Sequence, residues 1–104
     1  MAVRPLRYSQ PAHLVLEYCL ATSSRWFHGY TLLRELDLPS GTLYPILMRL
    51  AEIGWMETKW ESARTGRPPR HLYRLTSDAR PEVRALLRDW RERGLPAPLP
   101  RHAT

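Results

Sequence analysis

The stretch from Leu36 to Leu50 leaves few structures open to this chain. Pro39 halts any helix before it, because the residue preceding a proline is pushed out of the α region. Ser40 is placed to N-cap a new helix by accepting from a first-turn N–H. Leu43, Ile46, Leu47 and Leu50 then fall at i, i+3, i+4 and i+7, one apolar stripe. Gly41, Tyr44, Pro45, Met48, Arg49 and Glu52 lie on the other side, and Gly54 ends the helix in a left-handed C′ position. A plain amphipathic surface helix has the same pattern, so the flanking elements decide what this one is for.

Upstream, a short helix is expected over residues 28–35, with Tyr30, Leu33 and Leu36 as its core side. Gly29 near its start signals a close backbone approach or a special cap. Helix, short turn, helix is a helix-turn-helix. Downstream, the period changes from 3.6 to 2. Residues 55–60 and 70–75 read as strands and residues 61–69 as a loop, together a hairpin with Arg64, Arg67 and Arg70 at its tip. A thin basic ribbon after such a helix is the wing of a winged helix-turn-helix. A solvated hairpin would explain the arginines but not their place in this order. The helix starts small at Gly41 and Thr42, so its backbone can approach a phosphate or groove wall. The expected DNA contacts are Ser40, Gly41, Thr42, Tyr44, Arg49, Arg64, Arg67 and Arg70.

The first helix is expected from Ser9 or Gln10 to about Thr22, with Pro11 in its first turn. Its apolar residues point nearly every way, with only His13 and Glu17 as a polar strip. Such a helix is buried on more than one side. The covering surface is either a partner subunit or the rest of the chain. The last helix follows the capping residues Thr76, Ser77 and Asp78 and carries Val83, Leu86, Leu87 and Trp90 at i, i+3, i+4 and i+7. Leu14, Tyr18, Val83, Leu86, Leu87 and Trp90 are the expected dimer residues. The expected organisation is a flexible tail over 1–10, a DNA-binding domain over 11–76, a dimerisation helix over 77–94 and a disordered Pro-rich tail over 95–104. The fold class is mainly α within α+β, with a two-stranded wing.

A chain of 104 residues with formal net charge +6 is one small basic domain, which favours an anionic partner, nucleic acid first. One cysteine, Cys19, allows no internal disulfide and suits a reducing, cytoplasmic setting; in its apolar surroundings it reads as a packed residue. No apolar run approaches membrane-spanning length and the N-terminus has no signal-peptide core. His13, His28, His71 and His102 are scattered, so no catalytic cluster, metal site or cofactor is expected. Two other readings fit the same residues: a non-specific architectural DNA binder and a winged-helix protein-interaction module.

The chain resembles the PadR family of transcriptional regulators, short subfamily. The likeness rests on His28-Gly29-Tyr30, on residues 41–47 with Arg49, Leu50 and Gly54, on Gly66-Arg67-Pro68 with Pro69 and Arg70, and on Tyr73-Arg74-Leu75-Thr76. It spans roughly residues 12–93. It departs from the family pattern at residues 77–81, where a glycine is common, and at Leu72, where an aromatic is common. The resemblance implies a homodimer on a palindromic operator, usually a repressor, joined through the last helix with help from the first. It also implies that Trp90 can line a cavity between subunits that takes a flat aromatic effector.

Overall fold

The computed structural model describes residues 6–22, 25–62 and 66–97. The elements run α1 (Gln10–Ala21), β1 (Phe27–His28), α2 (Gly29–Leu36), α3 (Ser40–Glu52), β2 (Met56–Glu61), β3 (Arg70–Leu75) and α4 (Ala79–Glu92). This is a winged helix-turn-helix of the α+β class, as expected, with one strand more than the sequence suggested. The sheet is three-stranded and antiparallel, in the order β1-β3-β2. Phe27 faces Tyr73 and His28 faces Leu72, so the connector before α2 seals the inner edge of the wing.

Local chemistry sets the helix ends. Ser9 caps α1, its hydroxyl accepting from the Ala12 N–H at 3.0 Å. At the other end the Leu20 carbonyl accepts from the Arg80 guanidinium at 2.7 Å, a cation on the negative pole of α1. α2 ends on Asp37 in the left-handed region (φ 53°). The cap of α3 is Pro39, not Ser40: its carbonyl accepts from Thr42 and Leu43, each at 3.0 Å, and Ser40 is the first helical residue. Proline already holds the extended backbone a cap needs, so the boundary moves back by one. Gly54 (φ 84°) closes α3, with Trp55 N–H bonded to the Leu50 carbonyl at 2.9 Å and Gly54 N–H to that of Ala51 at 3.1 Å. This is a Schellman turn. The cap of α4 is supplied by Thr76, whose hydroxyl accepts from Ala79 N–H at 3.2 Å, while the Asp78 side chain makes no cap bond.

Leu43, Leu47 and Leu50 are fully buried beside Val15, Leu16, Leu32 and Val83 in one core that reaches from Leu6 to Trp90. Each such leucine contributes roughly 1.5–3 kcal/mol of transfer free energy. The core face of α2 is Gly29, Leu32, Leu33 and Leu36, whereas Tyr30 is 65% exposed and is not a core residue. His13 is also buried, its Nε2 2.6 Å from Glu17 Oε1, so the polar strip expected on α1 reduces to Glu17. In β2 only Met56 is buried; the expected in-out alternation stops there because the hairpin extends beyond the core.

Both tail assignments need correction within the described residues. Leu6 is buried, and the Tyr8 hydroxyl donates to the Pro96 carbonyl at 2.6 Å. Leu95 packs on the core. Residues 6–10 and 95–97 therefore close one end of the domain; the rest of both tails lies outside the described residues. α4 joins the same core through Ala79, Val83, Leu87 and Trp90. α1 and α4 bury their stripes against one another, and Trp55 Nε1 donates to the Glu82 carboxylate at 3.1 Å, tying α4 to the base of the wing.

Candidate nucleic-acid interface

The outward face of α3 begins at Ser40 and Gly41, both exposed. A Cβ placed on Gly41 would meet nothing within 4 Å, so no contact inside the chain requires a glycine there. Met48, 63% exposed, continues this face with Pro45 and Glu52. Thr42 is half-buried at its edge.

Tyr44 turns from α3 toward the sheet. A Cβ on Gly29 would lie 2.9 Å from both Cε1 and the hydroxyl of Tyr44, and 3.2 Å from Cε2 of Tyr73. The close approach expected at Gly29 is therefore the seat of the Tyr44 ring, which joins α2, α3 and β3 at one point. Burial pushes the Tyr73 hydroxyl up from its ordinary value, and neighbouring Tyr44 adds to this, so it stays a protonated donor. It lies 3.1 Å from Nδ1 of His71.

Tyr73 belongs to a row of rings. Tyr18 meets Phe27 edge-on at 5.7 Å, and Phe27 stacks on Tyr73 at 6.1 Å. Tyr73 contacts His71 at 4.6 Å, and His71 stacks flat on Trp60 at 4.5 Å with 8° between planes. The row runs from α1 to the far half of the hairpin and holds an indole that is 66% exposed. On the opposite face of the sheet, Arg74 is committed to the hairpin base. It donates to Glu57 Oε2 at 2.6 and 2.9 Å and lies 4.4 Å over the Trp26 ring, which Lys59 also meets at 4.4 Å.

The expected contact residues separate into groups. Ser40, Gly41 and Tyr44 share the N-terminal half of α3, and exposed Arg67 and Arg70 sit on the hairpin. Arg64 lies outside the described residues. Arg49 is not beside Tyr44. It lines a cleft of about 530 Å³ with Leu6, Arg7, Tyr8, Trp90 and Arg93, at the opposite flank of α3. Five residues along a helix turn through about 140° net, which the assignment of both to one face overlooked.

Of the expected dimer residues, Val83, Leu87 and Trp90 are buried within the single chain, and Leu14, Tyr18 and Leu86 remain partly open. Val83, Leu87 and Trp90 are thus covered by the rest of the chain, while Leu86 of the same stripe is only partly covered. Trp90 is 1% exposed, with Tyr8 edge-on at 5.1 Å and His13 at 5.8 Å, so its ring offers no open stacking face. Tyr30, Arg34, Trp60 and His71 were absent from the expected contacts. The spacing of Gly29, Leu32, Leu33 and Leu36 would have turned Tyr30 outward, and the pairing of Trp60 with His71 follows from the hairpin register.

The family model described as "Transcriptional regulator PadR-like family" matches residues 20–85. The chain is similar to the crystal structure of a PadR family transcriptional regulator from Eggerthella lenta DSM 2243, with TM-score 0.65 and 22% identity over 81% of this chain and 78% of that one. It is similar to a PadR-like transcription factor from Bacteroides fragilis, with TM-score 0.65 and 23% identity over 80% of this chain and 82% of that one. It also resembles Bacillus subtilis PadR, solved in complex with operator DNA, with TM-score 0.54 and 18% identity over 89% of this chain and 51% of that one. No curated protein matches it.

Proposed function

The chain belongs to the PadR-like family of transcriptional regulators, and from that premise we propose that it is a sequence-specific DNA-binding repressor, a homodimer on a palindromic operator. The observation that carries the reading is the junction of Tyr44, Gly29 and Tyr73, which fixes a small-residue helix start beside a basic hairpin. In this reading α3 enters the major groove from Ser40, with Gly41 against the groove wall. Arg67 and Arg70 set the wing on the backbone or in the minor groove. The operator complex of the similar Bacillus subtilis PadR supports the choice of DNA as partner.

The homodimer would use the partly open Leu14 and Leu86, on the two helices that pack together, α1 and α4. Two-fold symmetry would then set the recognition helices about 34–36 Å apart, one turn of DNA. An aromatic effector on Trp90 would have to displace the Tyr8 ring and break its bond to Pro96. Comparing dye quenching in wild type with Trp90→Phe tests this: a saturable quench confined to the wild type supports it, and identical titrations refute it.

The function itself is tested by footprinting on native genomic DNA, with random duplex as competitor. The expected result is a two-fold symmetric footprint held at least ~1000-fold tighter than random sequence. Equal affinity for all sequences would favour an architectural binder, and no binding at any salt concentration would leave a protein-interaction module.

A further inference from the structure

Gly41, Pro45, Met48 and Glu52 form the outward ridge of α3. They follow one another at spacings of four, three and four. On a helix with 3.6 residues per turn this keeps them within an arc of about 60°. All four are exposed. Gly41 has no side chain and open space above it. Pro45, inside the helix, presents a hydrocarbon ring and has no N–H. Met48 is 63% exposed, one of three large apolar side chains so exposed among the described residues. Glu52 ends the ridge with a carboxylate, which only accepts. The hydroxyls of Ser40 and Thr42 stand about 100° to either side of Gly41. Arg49 turns away to line the cleft beside Trp90. The side chains of the ridge therefore bring apolar surface and an acceptor, and no hydrogen-bond donor.

Base edges in the major groove differ in what they ask of a side chain. Guanine offers two acceptors and is read by arginine or lysine, and adenine is read by the paired donor and acceptor of asparagine or glutamine. None of those residue types stands on the ridge. Thymine alone presents a methyl group, an apolar surface that a proline ring or a thioether chain can cover. We propose that Pro45 and Met48 read thymine, each packing on a 5-methyl group, so that this ridge recognises the operator by methyl contacts in place of bidentate hydrogen bonds. Met48, absent from the expected contacts, becomes a specificity-determining residue. Its unbranched, polarisable chain follows an uneven groove floor, while the stiff ring of Pro45 fixes where the contact begins. Gly41 lets the groove come close enough for both, and Glu52 adds an acceptor suited to a cytosine amino group.

This rests on the DNA-binding reading, and the test separates the two. Each thymidine of the footprinted operator is replaced in turn by deoxyuridine, which deletes the 5-methyl and leaves base pairing and the polar groups of the edge unchanged. Because the change is on the DNA, it cannot disturb the fold. At one or more thymines per half-site the wild type should lose roughly fourfold in affinity, the worth of one buried methyl. Met48→Ala, altered at an exposed position outside the core and in favour of a good helix former, should melt with the wild type. It should bind the unmodified operator more weakly and be indifferent to deoxyuridine at the thymine that Met48 covers. The two deletions are then non-additive, as a direct contact requires. Met48→Leu, of similar volume, should keep the response to deoxyuridine. Affinity for random duplex should be the same in all three proteins. A wild type indifferent to deoxyuridine at every position, or a Met48→Ala profile identical to that of the wild type, overturns the thymine reading; preference for operator over random duplex then leaves specific DNA binding standing. A wild type that holds both duplexes equally overturns both.

Discussion

Cys19 shows how one residue records its surroundings. It is fully buried on α1, and burial pushes its thiol from the ordinary 9.0 up to about 12, against a smaller opposing pull from Arg80. Below pH 9 both folded and unfolded chains hold the proton, and the thiol is neutral to stability. Above it only the unfolded chain loses the proton, so stability falls by about 1.4 kcal/mol per pH unit until the folded thiol also ionises. Tyr18 and Tyr73, both raised chiefly by burial, act in the same direction at higher pH. Thermal melts from pH 7 to 11 should therefore fall steeply above pH 9 in the wild type and less steeply in Cys19→Ala. Parallel curves would mean that Cys19 is not sealed from water. The packed role of Cys19 was legible in the sequence because its neighbours are apolar. The burial of His13 was not, because it depends on Trp90, far along the chain.

Among the elements, those set by local chemistry were the legible ones. Pro39, Gly54 and the leucine stripe place α3 to within one residue, and the turn residues between two period-2 runs place the hairpin. β1 was not legible: two residues carry no period, and the strand exists only because Phe27 and His28 pair with β3. The junction of α2, α3 and β3 was half legible, since Gly29 announced a close approach but not its partner. Gly29→Ala tests it. The new methyl would sit 2.9 Å from the Tyr44 ring, so Tyr44 or α2 must shift, costing about 1–3 kcal/mol. A melting temperature lowered accordingly, with DNA affinity reduced, is expected; an unchanged melt would show that Tyr44 is not seated there.

At the scale of the molecule, the sequence divided the chain into tail, domain, helix and tail, whereas one core joins Leu6 to Trp90. Contacts between residues nearly ninety positions apart, such as Tyr8 with Pro96, have no local signature. Tyr8→Ala should open the Trp90 edge to water, red-shifting the emission and lowering stability. An unshifted spectrum would mean the N-terminal segment does not cover it. The same scale holds the central claim, that the outward face of α3 meets DNA. Gly41 offers the cleanest probe, because open space surrounds it and a helical glycine costs roughly 0.5–1 kcal/mol relative to alanine. Gly41→Leu should therefore fold at least as stably as the wild type while blocking the groove. The deciding measurement is operator affinity of Gly41→Leu beside its melting curve. A melt at or above that of the wild type, with binding weakened tenfold or more (about 1.4 kcal/mol), is the predicted result. Unchanged affinity would contradict it and place the DNA-binding face elsewhere.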